Sequence, residues 1–422
     1  MHSSRHAEAC EFCKLVNAVK KREEEKCEEE KREEAPHFKY KSSEEEEMVS
    51  ELAEETQYFN RKFAEALNRL SSCELCEGDE SSDKGVAEGG SSNGECVRVP
   101  ESVKGWSLKL RGILSESLEQ IKDGGGKRIR PIICILSAEA VGGDREDAID
   151  VAIAIELLHN ASLIHDDILD NNVMRRKKPS NPAMFGEKKA IIVGDFLFGL
   201  SCMFLAACGV PSVVEKVSEA VAETSAGECI EFLRRESEES DEHSYFEVVS
   251  LKTASVFRAS AEAGAILGGG DDASIQHLRA FGLNLGIAYQ IQDDILDIFG
   301  DPAETGKPLC LDIMNGERTI LLMHAMRHAN AEERAFLASL RGKEISEADI
   351  KRVQRIMIER GSVEYAFRIS ERFLHAACEH LQNLRPPRTE KEREARRKLS
   401  LVADLSVKRL EKQLSAAVGG CF

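Results

Sequence analysis

The chain has 422 residues, enough to bury a substantial core, and is 42% hydrophobic but only 5% aromatic. That balance, with recurrent Ala, Leu, Glu, Lys and Arg, favours an all-α protein. A formal charge of -18, from 75 acidic against 57 basic residues, argues against general attraction to nucleic acid or an anionic membrane, so any anion site must be local. No uninterrupted apolar run reaches the roughly 18 residues that span a bilayer. The start MHSSRHAEACEF also lacks an apolar signal core. A soluble, cytoplasmic protein with no transmembrane segment is expected.

The first 44 residues carry the charge run KKREEEKCEEEKREE, which reads as a solvated helix or a partly disordered arm. From Glu45 to Leu70, the residues Met48, Leu52, Phe59, Phe63, Ala66 and Leu70 fall at helical spacing, so this segment is expected to dock on a core or a partner. Ser71 to Glu95 is rich in Gly, Ser, Asp and Glu and reads as a linker. The pairs Cys10/Cys13 and Cys73/Cys76 offer four thiolates that would suit zinc if brought together. The long interval and the lack of a glycine-rich knuckle make incidental thiols the plainer reading. The thirteen cysteines as a whole are read as reduced thiols. Cys421 lies one residue from the last position, two short of a prenyl-acceptor site, in what reads as a frayed tail. The boundary falls near residue 98. An acidic arm precedes it, and a single helical domain runs over 99–418.

Within that domain ELLHNASLIHDDILD, from Glu156 to Asp170, has Leu157, Ala161, Ile164 and Ile168 on one stripe and is a helix. His159, Ser162, Asp166 and Asp170 share another face, with Asp167 beside them. Like charges one turn apart are unfavourable unless a cation compensates, and Mg²⁺ prefers such carboxylate oxygens together with phosphate oxygens. The arrangement recurs in GLNLGIAYQIQDDILD, where Gly282, Gly286, Gln290, Asp293 and Asp297 share a face and Asp294 is the twin. The two glycines imply close approach of a neighbouring helix or a ligand. DGGGKRIRP adds a glycine-rich turn with Lys127, Arg128 and Arg130, and a helix is expected to open at Pro131. RRKK at 175–178, Lys252-Thr253 and Lys307 supply further cations. Arg128 and Lys178 are read as solvated surface charges.

GGGKRIRP, LLHNASLIHDDILD with RRKKP, FGEKKAIIVGDFLF, KTAS and YQIQDDILD with GKP, in this order, resemble the trans-isoprenyl diphosphate synthase (polyprenyl synthetase) family over about three quarters of the chain. The resemblance implies a large all-α helical barrel around a central cavity, a homodimer, and head-to-tail condensation of isopentenyl diphosphate with an allylic prenyl diphosphate. By the same resemblance Asp166, Asp170 and Asp293 hold Mg²⁺, and both aspartate triads with Lys252 are catalytic. Lys127, Arg130, His159 and Arg176 would bind isopentenyl diphosphate. Arg175, Lys252, Thr253, Gln290 and Lys307 would contact the allylic diphosphate. Small residues at Ala161 and Ser162, where short-chain members commonly place aromatics, imply a product of twenty carbons or more.

Three positions depart from the pattern. Lys177 and Cys310 stand where glycine is usual, and Glu317 stands where a lysine usually helps bind the allylic diphosphate. Glu317 keeps open a non-catalytic, regulatory subunit as an alternative. A terpene cyclase or head-to-head coupling enzyme is a second alternative, opposed by GGGKRIRP and His159, which serve isopentenyl diphosphate.

Overall fold

A computed structural model describes residues 42–71, 108–123, 126–236, 241–302 and 308–418. Among these the chain is helical apart from a minimal antiparallel pairing of Met174–Arg175 with Lys178–Pro179. The helices that build the site are α1 (Ser42–Ser71), α2 (Leu108–Asp123), α3 (Ile129–Val141), α4 (Arg145–Leu169), α5 (Glu187–Ala207), α6 (Pro211–Glu236), α7 (Ser255–Leu267), α8 (Asp272–Phe299), α9 (Ser362–Gln382) and α10 (Glu390–Val418). Local chemistry sets their starts. Asp144 accepts the Glu146 N–H ahead of α4, and Asp271 accepts the Ser274 N–H ahead of α8. Helix α3 begins at Ile129, two residues before the expected start, so Pro131 sits in the first turn, where its missing N–H is harmless.

The packing follows the apolar stripes. Helix α8 lies between α7 and α9, α4 lies against α3 and α5, and α7 reaches both α3 and α6. One apolar cluster gathers Phe257, Phe281, Leu285, Ile291, Ile295 and Phe373, and a second gathers Leu157, Ala161 and Ile164 of α4 with Leu197 and Phe204 of α5. Gly282 and Gly286 serve helix packing. A Cβ at Gly282 would lie 2.5 Å from the Phe257 carbonyl oxygen, and one at Gly286 would lie 2.6 Å from Ala254 Cα. That close approach brings the 250s segment against α8.

The periodic segment at 45–70 is helix α1, docked on its own chain. Phe59 and Phe63 stack with centroids 5.4 Å apart and, with Leu67, enter the second cluster. Burial of each such side chain contributes about 2 kcal/mol. The two CxxC pairs, the Ser71–Glu95 linker after its first residue, and the cysteine tail lie outside the described residues. By length and composition alone, α4 and α5 are apolar enough to cross a membrane. Scattered polar residues hid this from a search for unbroken apolar runs. In the fold 67% of the apolar window of α4 and 44% of that of α5 is buried, and both helices contribute to the second cluster.

Candidate active site

The C-terminal ends of α4 and α8 carry the two aspartate motifs, and within each motif the carboxylates divide. Asp167 is buried and accepts the Arg175 guanidinium, Nε at 2.8 Å. Asp294 is buried too, accepting Tyr245 Oη at 2.6 Å and Gln290 Nε2 at 2.9 Å, and burial pushes its pKa up to about 7. Asp297 accepts the Leu311 N–H at 3.1 Å and closes the following turn. Asp166 and Asp293 accept no hydrogen bond among the described residues. Burial, reinforced by Glu228 and Asp170 and opposed by Lys252, pushes Asp166 up to about 6. Asp170 caps α4 and meets Arg235 Nη2 at 3.3 Å.

One cleft is lined by Lys252, Thr253, Gln290, Arg235, Glu317 and, from the α8 motif, Asp294, while Asp167 of the α4 motif lines a second cleft. The Asp166 carboxylate lies in the field of Lys252, and Asp170 is bonded to Arg235, so the α4 motif is tied to the same walls as Asp294. A π-helical turn at Ser250–Ala254, a feature common at functional sites, carries Lys252 and Thr253. Lys252 Nζ is 2.6 Å from both Glu228 and Glu231, whose charges hold its pKa above the usual range despite burial. The Thr253 hydroxyl donates to Gln290 Oε1 at 2.7 Å, extending the chain that ends at Asp294 and Tyr245.

A second cationic group forms on the α3 side. Arg130 Nη1 is 3.2 Å from His159 Nε2, and its guanidinium lies 4.6 Å from the Phe257 ring centroid. Its buried Nε finds no hydrogen-bond partner among the described residues. Burial, and then the Arg130 and Arg176 charges, hold His159 well below the usual histidine range, so its imidazole is neutral. Lys127 Nζ lies 3.3 Å from Tyr289 Oη, and Arg176 crosses Gly126 so closely that a Cβ there would meet its Nη1 at 2.6 Å. These four expected residues come together. A buried guanidinium with one unpartnered N–H beside a neutral imidazole suits a multivalent oxyanion.

Other expectations fall differently. Arg175 turns to Asp167 and lines a separate cleft with Arg176 and Asn160, away from Lys252. Ala161 is fully enclosed in the second cluster, whereas Ser162 is half-buried and donates to the His159 carbonyl. Lys307 lies outside the described residues. Arg128, read as a surface charge, is 4% exposed and ion-paired with Glu156, while Lys178 is exposed as expected. Sequence reasoning missed Arg234, Arg235, Glu228 and Glu231 on α6. Glu228, Glu231 and Arg235 share a helical face by spacing, but basic residues in a last turn look like ordinary helix-end chemistry.

An all-α fold with paired aspartate motifs over a cation-lined cleft is the architecture of isoprenoid diphosphate chemistry. The chain belongs to the polyprenyl synthetase family, whose profile matches residues 111–357. It is similar to the short chain isoprenyl diphosphate synthase of Methanothermobacter thermautotrophicus, 35% identical over 300 residues, covering 70% of this chain and 90% of that one. The solved geranylgeranyl pyrophosphate synthetase of Pyrococcus horikoshii matches with a TM-score of 0.69 and 29% identity, over 86% of this chain and 98% of that chain. Geranylgeranyl pyrophosphate synthase from Corynebacterium glutamicum, solved with isoprenyl diphosphate and magnesium, matches with a TM-score of 0.63 and 26% identity, over 71% of this chain and 96% of its own. The protein is therefore a prenyltransferase of this family.

Proposed function

We propose that the protein condenses isopentenyl diphosphate head-to-tail with an allylic diphosphate in the presence of Mg²⁺, giving an all-trans prenyl diphosphate of twenty carbons or more. The observation that carries this reading is the pairing of two cation groups, around Lys252 and around Arg130, with carboxylates of both aspartate motifs.

Asp166, Asp170 and Asp293 are the carboxylates assigned to the metal. They are hard oxygen donors, and the raised pKa of Asp166 is what a carboxylate in want of a compensating cation displays. When bound, Mg²⁺ supplies charge neutralisation that makes the allylic diphosphate a leaving group. Lys252, Thr253 and Gln290 orient that diphosphate, and Lys307 keeps its assignment from the sequence. Arg175, held by Asp167, is assigned to positioning. Lys127, Arg130, neutral His159 and Arg176 hold the second diphosphate, setting the isopentenyl double bond beside the allylic carbon. The allylic C–O bond breaks with its electron pair leaving on diphosphate. The isopentenyl double bond then attacks, and loss of a proton to the released diphosphate restores an alkene, so no protein base is assigned.

The division into an acidic arm at 1–98 and a catalytic domain at 99–418 is proposed on the same basis, with α1 as the arm's docking element. A homodimer is proposed on the exposed Ile191 and Ile192 of α5 and Phe232 and Leu233 of α6. The test is to incubate purified protein with Mg²⁺, isopentenyl diphosphate and allylic starters of increasing length and to size the products. Elongation from at least one starter is expected. None from any starter would sink the catalytic reading and favour a regulatory subunit.

A further inference from the structure

Glu317 brings a carboxylate into the cleft that also holds Lys252, Thr253 and Gln290. Its neighbours include Asp312 and Glu231, and an acid in such surroundings is costly unless a cation answers it. Arg235 answers it from α6. Its Nη2 stands 3.0 Å from Glu317, 3.3 Å from Asp170 and 3.5 Å from Glu231. The backbone carbonyl of Arg235 accepts the Arg341 guanidinium, and Arg341 lies over Gly316, where a Cβ would meet its Nε at 2.7 Å. The end of α6 is thus tied to the 316–317 turn.

Arg234 lines the same cleft, as does Arg318. Nε and Nη2 of Arg234 and Nε of Arg235 are buried without a hydrogen-bond partner among the described residues. Leaving such groups unbonded is costly, and an oxyanion with several acceptor oxygens is the ligand that relieves it. Glu317 makes no sense as an anion grip, but it does as the group that aims one.

We propose that Arg234 and Arg235 grip the diphosphate of the allylic substrate, with Glu317 as the positioning residue that aims Arg235. The cation that the family resemblance leads one to expect at position 317 is then delivered from α6. This inference rests on the allylic reading of the cleft given above.

The test uses the full chain and the variants Arg235→Met, Arg235→Lys, Arg234→Met and Glu317→Gln, with folding checked by circular dichroism and melting. Arg235→Met is expected to raise KM for the allylic diphosphate about tenfold or more while KM for isopentenyl diphosphate moves less than about twofold. Arg235→Lys should recover part of the loss, and Glu317→Gln should show a smaller rise confined to the same substrate. Calorimetric binding of inorganic diphosphate in Mg²⁺ should weaken in parallel. Unchanged allylic KM and diphosphate affinity in both methionine variants, or equal rises for the two substrates, would overturn the proposal. Should Arg235→Met fail to fold, Arg234→Met leaves the Arg235 ion pairs in place and decides the matter. A wild-type protein inactive with every starter would defeat the condensation reading, and the calorimetric comparison would still judge the grip.

Discussion

Asp166 carries an electrostatic tension that can be measured. Its folded pKa of about 6 lies above the ordinary 3.8, so between these values the folded state binds more protons than the unfolded chain. Stability therefore falls as pH rises through that window, and the full penalty, about 3 kcal/mol, applies above it. In EDTA, Asp166→Asn is expected to match the wild type near pH 4 and to exceed it by that amount near pH 7, read by urea unfolding. Parallel curves across the range would mean that burial does not strain this carboxyl. Lys177 stores a different strain. It is exposed with φ 65°, in the left-handed region where glycine sits without cost. Lys177→Gly should raise unfolding stability by about 0.5–1 kcal/mol, seen as a higher urea midpoint. Cys310 shares the conformation, φ 60°, but is fully buried, so the same exchange there loses packing and should be close to neutral.

At the scale of elements, the turn before α3 is held by Arg128. Its left-handed backbone, φ 53°, turns the side chain inward, where it pairs with Glu156. It also donates to Asn60 Oδ1 at 3.1 Å and to the Ile121 carbonyl at 2.6 Å. Its guanidinium lies 5.1 Å from the Phe63 ring centroid. One residue thus joins α1, α2 and α4 and fixes the backbone between Lys127 and Arg130. Arg128→Met, which strands the Glu156 charge, should cost about 3–5 kcal/mol, and adding Glu156→Leu should recover much of it. Melting curves check both, and a double variant no better than the single would refute an isolated buried charge as the cause. Sequence could not show this, because the run KRIR reads the same whether a turn points its second residue in or out. Arg235 was hidden similarly, since its partner Glu317 is 82 residues away. The aspartate faces were legible because the helical period alone decides which carboxylates share a side. The partition within each motif was not, since Asp167 and Asp294 take their partners from other elements.

Across the whole molecule, charge and apolar volume are separated. In a chain of net charge -18, Lys252, Arg234, Arg235 and Arg318 gather at one cleft, and on the proposed reading the aliphatic product would descend along α4. Ala161 and Ser162 lie about one turn beyond Asp166 on that path, and their surroundings differ. Ala161 is wholly enclosed with Leu157 and Ile164, whereas Ser162 is half-buried. A phenylalanine at either position should obstruct the tail and shorten the product. Ser162 is only half-buried, so the shorter product should come with a smaller loss of stability there. At Ala161 the ring must displace packed neighbours, which costs about 1–3 kcal/mol, so shortening there should come with a lower melting temperature. Product sizing by chromatography beside calorimetric melting separates the two. A product ladder unchanged in both variants would mean that the tail leaves the cleft by another wall, and that the small residues on α4 serve packing alone.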